Sequence, residues 1–102
     1  MKQKIYKTTA TLWLYPGESA KWHFLTVPKD ISQEIKETYK GLRQGFGSLP
    51  VEVTIGKTTW LTSVFPDTKA GTYLLPVKAK VRRDEDMYVD EKITFSFQVK
   101  PK

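Results

Sequence analysis

The sequence contains no cysteine, only one histidine and no long apolar run. Without thiols the chain can form neither disulfide bridges nor thiolate metal sites, and it has no cysteine nucleophile. The single histidine, His23, excludes metal sites that need several imidazole ligands, so we expect neither a metal ion nor another cofactor. The apolar runs are only a few residues long, which is too short for a helix that spans a bilayer.

The N-terminal segment 1–15 also lacks the features of a secretory signal. Thr8, Thr9 and Thr11 interrupt what would have to be its apolar core, and no small-residue cleavage site follows. A signal peptide needs about 7–15 apolar residues without interruption. We therefore expect a cytoplasmic protein with no membrane partner.

The remaining composition is ordinary for a small globular domain. Hydrophobic residues make up 39% of the chain and charged residues 27%, which is too apolar for a disordered tail. A chain of 102 residues has room for one core and not for two. We therefore predict a single domain over residues 1–102.

Alternation of apolar and polar residues dominates the chain and predicts strands with one buried face. It occurs in segments 6–14, 51–55, 77–82 and 93–99. Segment 22–27 is apolar on both faces and predicts a central strand, segment 60–65 returns after a short turn at 56–58, and a further apolar run leads into Pro76. The pattern predicts a mainly β fold of six or seven strands. We expect the following side chains to point into its core: Val51, Val53, Ile55, Ile93, Phe95 and Phe97.

One segment has helical spacing instead of alternation. Its apolar stripe is formed by Ile31, Ile35, Tyr39 and Leu42. This spacing predicts one amphipathic helix, which must pack on the sheet because a helix this short is marginal alone. We expect Asp30 to cap its first turn, and Gly41 or Gly45 to end it in a left-handed conformation. Residues 81–86 are compatible with a second short helix or with a loop.

Two strands lead into a proline in a similar way. The segments are LTVPK (25–29) and YLLPVK (73–78), each with a basic residue after the proline. The similarity indicates either an internal duplication or a chance match, and both alternatives remain open at this point.

Three segments resemble a known family, the small prokaryotic domains called domain of unknown function 1905. They are VTIG (53–56), WLTSVFP (60–66) and GTYLLPVKA (71–79), preceded in the same order by ATL (10–12), WHF (22–24) and VPK (27–29). The resemblance implies a small closed or double-split β-barrel capped by a helix, and it implies no activity or catalytic residue. The family commonly has a Gly-Asp turn before its last strand, where this chain has Asp90-Glu91.

The net charge of +6 is concentrated in one region. Alternation in segment 77–82 would place Lys78, Lys80 and Arg82 on one face of a strand, next to Arg83. Residues two apart on a strand are separated by about 6.6–6.8 Å, which is close to the phosphate spacing of a nucleic-acid strand. These four basic residues are therefore candidates for nucleic-acid binding. The alternative is a solvated face, because an acidic segment follows directly and reduces the field.

A second candidate site is a pocket near Trp22, His23 and Trp60. A general base needs a nucleophile within hydrogen-bond distance and an orienting carboxylate. Ser63 and Asp67 have suitable chemistry, but nothing in the sequence places them near His23. We therefore predict no catalytic residues.

The sequence favours a non-enzymatic β-barrel that acts as a binding or interaction module, as a monomer or a homodimer. Its partner is an unknown ligand or protein. The alternatives are a nucleic-acid-binding barrel that uses the basic strand, and an enzyme with the pocket just described.

Overall fold

The computed structural model describes residues 4–17, 21–42 and 47–100, without the side chain of Leu42. The strands are β1 (Tyr6–Leu14), β2 (His23–Val27), β3 (Leu49–Ile55), β4 (Thr58–Asp67), β5 (Thr72–Pro76) and β6 (Lys92–Val99). The helices are α1 (Lys29–Thr38) and α2 (Ala79–Asp84), and a 3₁₀ turn covers Lys40–Leu42. The predicted mainly β fold is thus confirmed, with six strands in the described part of the chain.

The strands form a closed antiparallel barrel in the order β1-β2-β5-β4-β3-β6. The element order is a repeat, because β1–β2–α1–β3 (the first half) is followed by β4–β5–α2–β6 (the second half). Exchanging the halves turns the β1–β2 pairing into β4–β5, and the β1–β6 pairing into β4–β3. The topology is therefore duplicated, although Pro28 directly follows the second strand of the first half, whereas Pro76 is the last residue of the second strand of the second half.

The core lies inside the barrel, on the face that alternation predicts. In β3 the apolar residues are buried and alternate with partly exposed ones, and Phe95 and Phe97 of β6 are only 1% and 2% exposed. Five of the six predicted core residues are buried, and the sixth, Ile93, is partly buried and packs against the core. Alternation therefore identified the inward face correctly.

Helix α1 begins earlier than its sequence suggested. Pro28 is the N-cap residue, and Asp30 lies within the first turn, where its carboxylate accepts a hydrogen bond only from the adjacent Ile31 N–H. The prediction that Asp30 caps the helix is therefore wrong, because the proline already ends β2 and starts the helix one residue later. Gly41 lies in the 3₁₀ turn without a positive φ, and Gly45 lies outside the described residues.

A buried serine fastens α1 to the sheet. Ser32 is 2% exposed, and its hydroxyl donates to the Val27 carbonyl at 3.0 Å and accepts from the Tyr73 backbone N–H at 2.9 Å. Val27 ends β2 and Tyr73 lies in β5, so one side chain joins the helix to two neighbouring strands. Sequence analysis did not identify this role.

The predicted strand over 77–82 is wrong. Strand β5 ends at Pro76, and the chain turns into helix α2, which buries Val81 and exposes Ala79. Proline cannot donate a hydrogen bond to a sheet, which explains why the strand stops there. Val77 and Val81 are four residues apart, a spacing that suits one face of a helix as well as one face of a strand. The alternative of a second short helix is the correct one.

The turn before β6 keeps a left-handed residue although it lacks the family's glycine. Asp90 has a φ of 76°, its N–H donates to the Leu12 carbonyl at 2.8 Å, and the Leu12 N–H donates to the Glu91 carbonyl at 2.9 Å. Aspartate is one of the few non-glycine residues that adopt this conformation with some ease. The Asp-Glu sequence is thus compatible with a tight turn.

Candidate functional site

A cavity of about 310 Å³ opens on the second half of the barrel, where β4 and β5 separate. Residues 58–64 of β4 pair with β3, and only residues 65–67 pair with β5. On this edge of β5, Leu75 and Pro76 have no partner in β4, although their other edge pairs with β2, so a gap remains between β4 and the start of α2. We call this gap the basic cavity, and it is lined by Lys21, Trp22, His23, Trp60, Leu61, Thr62, Pro76, Val77, Lys78, Ala79 and Arg82.

The charge of the basic cavity is of one sign. Lys21, Lys78 and Arg82 line it, and none of the described lining residues is acidic. Within the described part of the chain, neither lysine forms an ion pair. Two ammonium groups and one guanidinium group therefore remain available to an anion.

Arg82 is held in place by two hydrogen bonds. Its Nε donates to the Val77 carbonyl at 3.2 Å, and its Nη1 donates to Nε2 of His23 at 3.3 Å. A guanidinium group carries five N–H donors, so these two contacts orient the side chain and leave other donors for a ligand. The guanidinium group is therefore fixed relative to β2 and α2, with further N–H donors left over.

Both ring nitrogens of His23 are engaged. Nδ1 lies 2.9 Å from the Lys21 carbonyl, which can only accept, and Nε2 faces Arg82, which can only donate. Of the two neutral tautomers, these contacts suit the one that carries its proton on Nδ1. His23 links the segment before β2 to α2, and its lone pair is not free to take a proton from a substrate.

An apolar surface lies next to the basic cavity. It consists of Tyr15, Trp22, Phe24, Phe65 and Leu74, which line a cavity of about 270 Å³, and we call it the aromatic face. Leu25 and Val27 of β2 point into the core, so the alternate residue Phe24 points outward. The Phe24 ring centroid lies 6.1 Å from those of both Trp22 and Tyr15.

Trp22 joins the two surfaces. Its side chain lines both the basic cavity and the aromatic face, it is 52% exposed, and its ring is nearly parallel to that of Phe24, with an interplanar angle of 8°. Exposed apolar surface of this kind marks interaction sites in soluble proteins. The site thus combines flat apolar rings with cationic groups.

The structure separates the four predicted basic residues. Lys78 and Arg82 line the basic cavity, whereas Lys80 pairs with Asp84 at 2.8 Å. Arg83 lines a second cavity beside Tyr88, which Arg82 also borders, and it does not line the basic cavity. The helix causes this separation, because residues two apart point in different directions on a helix and in the same direction on a strand. The shared face predicted for Lys78, Lys80 and Arg82 is therefore wrong.

Two predicted sites coincide. Trp22, His23 and Trp60, which sequence analysis grouped as a separate pocket, line the same cavity as Lys78 and Arg82. Sequence analysis did not assign Lys21 or the aromatic neighbours Tyr15 and Phe65 to a site. The only signal for Lys21 was its position directly before Trp22 and His23.

The residues proposed to complete a catalytic set do not meet at His23. Ser63 lines none of the cavities described here, and Asp67 lines a separate cavity of about 530 Å³ beside α1. Among residues 4–17, 21–42 and 47–100, no group of three acidic or histidine side chains is placed to hold a metal ion. Neither helix of this part of the chain is long and apolar enough to cross a membrane.

The fold and site define a small, internally duplicated six-stranded barrel with a cationic cavity and exposed rings. The sequence model of the family described as "Domain of unknown function (DUF1905)" matches residues 9–97, so the chain belongs to this family. None of the curated proteins matches the sequence.

Proposed function

We propose that this protein is a non-enzymatic binding module whose ligand carries both a planar ring and an anionic group. The ligand-binding surface consists of the basic cavity together with the aromatic face. The observation that carries the proposal is the position of Trp22, whose exposed ring borders three cationic side chains on one side and an apolar cavity on the other.

The dimensions and chemistry of the surface support ligand binding. Ligand pockets commonly have volumes of about 300–1,000 Å³, with apolar walls and a few polar groups that fix orientation. The basic cavity, at about 310 Å³, lies at the lower end of that range. Its size suits one ring or one anionic group, and the aromatic face provides room for a further ring.

The two hydrogen bonds of the His23 ring favour binding over catalysis. Both of its ring nitrogens make hydrogen bonds within the protein, and neither Ser63 nor Asp67 lines its cavity. A general base needs a free lone pair that faces a substrate proton. The other polar side chains of the cavity are Lys21, Thr62, Lys78 and Arg82, which can hold an anion by charge and by hydrogen bonds.

Anilinonaphthalene sulfonate, which carries a planar naphthalene ring and one anionic sulfonate group, tests the proposal directly. We expect its fluorescence to rise on binding the folded protein, with binding reduced by Trp22→Ala and by Lys78→Gln. The matched controls are Tyr88→Ala, which removes an exposed ring outside both surfaces, and Lys80→Gln, which removes a cation outside the basic cavity. Equal binding by wild type and Trp22→Ala, both folded by circular dichroism, would overturn the proposal.

A further inference from the structure

We infer that the ligand of this surface is single-stranded nucleic acid, with its bases on the aromatic face and its phosphates at the basic cavity. The inference rests on the proposed function and names the class of ligand for the same site. It follows from the width of the apolar surface, from the placement of the cations at one end of it, and from the charge of the whole chain.

The aromatic face is wider than one ring. Its residues lie on or beside four adjacent strands, with Tyr15 after β1, Phe24 in β2, Leu74 in β5 and Phe65 in β4. Neighbouring strands are about 4.8 Å apart, so the face extends over about 14 Å. That length accommodates two or three consecutive bases and exceeds the size of a single small ring.

The cations suit a chain of phosphates. Lys21, Lys78 and Arg82 lie beside Trp22, so a base stacked on this ring would bring its phosphate close to them. Proteins that bind single strands without sequence preference combine rings that stack on bases with a positively charged groove that follows the backbone. This surface has both components next to each other.

The positive charge of the protein disfavours a second copy of the chain as the partner that binds this surface. The net charge is +6, and a symmetric contact through this surface would bring two basic cavities together. Juxtaposed like charges oppose association. A duplex is also disfavoured, because its bases are already stacked on one another and cannot lie flat on Trp22 or Phe65.

The experiment measures the affinity of a fluorescein-labelled oligothymidylate by anisotropy, at about 0.05 M and about 0.2 M salt. With about three phosphate contacts, the logarithm of the affinity should fall by about 2 for a tenfold rise in salt. Lys78→Gln should make this slope shallower by about 0.7, and Lys80→Gln should leave it unchanged. The Lys80 control is matched because this side chain pairs with Asp84 on the same helix.

Ring substitutions test the stacking component. Trp22→Ala should weaken binding by about 5- to 150-fold, the usual loss when one stacked base loses its aromatic partner. Phe65→Ala should act in the same direction, whereas Tyr88→Ala should have no effect. Quenching of intrinsic tryptophan fluorescence on binding should be smaller in Trp22→Ala than in the wild type.

Four outcomes would overturn the inference. They are no binding at the lower salt concentration, equal affinity for a duplex of the same length, equal affinity for polyaspartate, and a homodimer in sedimentation that Trp22→Ala abolishes. If oligothymidylate fails to bind while anilinonaphthalene sulfonate binds in a Trp22-dependent manner, the inference fails and the proposed function stands. If neither probe binds, both fail.

Discussion

The two halves of the barrel share a topology but treat equivalent positions differently. Tyr6 of β1 pairs with Phe97 of β6, and exchanging the halves so that Val27 takes the place of Val77 puts Thr58 of β4, paired with Ile55 of β3, at the corresponding position. Tyr6 is 5% exposed, and its phenol donates to Glu34 of α1 at 2.8 Å. The second half makes the corresponding contact with a smaller side chain, because the Thr58 hydroxyl donates to Glu85, directly after α2, at 2.6 Å.

The helices of the two halves also differ in the residues that they bury. Helix α1 buries Ser32 and Ile35, whereas the shorter α2 buries only Val81. The Ser32 hydroxyl and the Arg82 Nε each donate to the carbonyl five residues earlier, Val27 in one half and Val77 in the other. A small buried hydroxyl thus makes in the first half the backbone contact that a guanidinium makes in the second.

This comparison indicates that equivalent strand–helix junctions of a duplicated fold can differ in the side chains that form them. The first half closes its strand–helix junction with hydrogen bonds that involve small or buried groups, which favours stability. The second half makes the Thr58–Glu85 contact at one end of its junction, and at the other end Lys78 and Arg82 line the basic cavity. Substitutions at equivalent places should therefore change different properties of the protein.

The largest effect on stability should come from the core that both halves share. Phe95→Ala removes a fully buried ring and should lower the free energy of unfolding by about 3–5 kcal/mol. Phe65→Ala removes a ring that is 43% exposed on the aromatic face, and it should cost well below that amount. Denaturant unfolding of both variants checks the difference, and equal losses would contradict the assigned strand faces.

The next effect concerns the two helix contacts. Ser32→Ala removes the acceptor of the buried Tyr73 N–H and should cost about 1–3 kcal/mol of unfolding free energy. Arg82→Ala should cost about 1 kcal/mol or less, because its side chain is only partly buried, and it should weaken oligothymidylate binding. If Arg82→Ala were the more destabilising change, the Arg82 contact would stabilise the fold more than the Ser32 contact, which would contradict the difference between the halves described above.

Sequence reasoning succeeded where a single periodicity described a segment. Phe95 and Phe97 alternate with polar residues, and this pattern is compatible only with a strand that has one buried face. It failed at Val77 and Val81, because a spacing of four residues suits one face of a helix and one face of a strand equally well. It also failed at Ser32, a polar residue that is buried because of its hydrogen bonds. Burial of a hydroxyl between a helix and two strands depends on strand pairing, which no local pattern reports.

The candidate site was only partly predictable for the same reason. Trp22 and Lys78 are far apart in the sequence, and they come together because β2 pairs with β5 and α2 follows at once. Each was identified as a candidate for a different function. Only the tertiary structure shows that they line one cavity.

A smaller, pH-dependent effect belongs to the first half. The Lys4 ammonium group, together with the Tyr6 phenol, lowers the pKa of Glu34 below its ordinary value. The folded state therefore favours the carboxylate, so this interaction stabilises the protein above the ordinary pKa and is lost as the pH falls through the lowered value. Burial and the bond to Glu34 raise the pKa of Tyr6.

Lys4→Gln should return the pKa of Glu34 towards its ordinary value, and Tyr6→Phe should do so to a smaller extent. The pKa is measured by following the Glu34 side-chain carbonyl resonance through an acid titration. The control is Lys7→Gln, a nearby exposed lysine that makes no ion pair among the described residues. An unchanged Glu34 titration in Lys4→Gln would show that the 2.8 Å contact does not persist in solution.

The smallest effect is expected where the halves enter their last strands. Gly47, with a φ of 80°, precedes β3, and Asp90, with a φ of 76°, precedes β6. The second half thus uses a side chain where the first uses glycine. A left-handed conformation costs an ordinary residue about 1–2 kcal/mol, and aspartate less, because its short polar side chain can form local hydrogen bonds.

Asp90→Ala should therefore lower the free energy of unfolding by about 1 kcal/mol, since alanine adopts the left-handed conformation less readily than aspartate. Asp90→Gly removes the strain but makes the unfolded chain more flexible, by about 0.5–1 kcal/mol, so the two effects should nearly cancel. The backbone bonds between this turn and Leu12 are unaffected by either change. Denaturant unfolding of the three proteins distinguishes these cases. If the alanine variant is as stable as the glycine variant, position 90 is not left-handed in solution, and the two halves enter their last strands by different geometries.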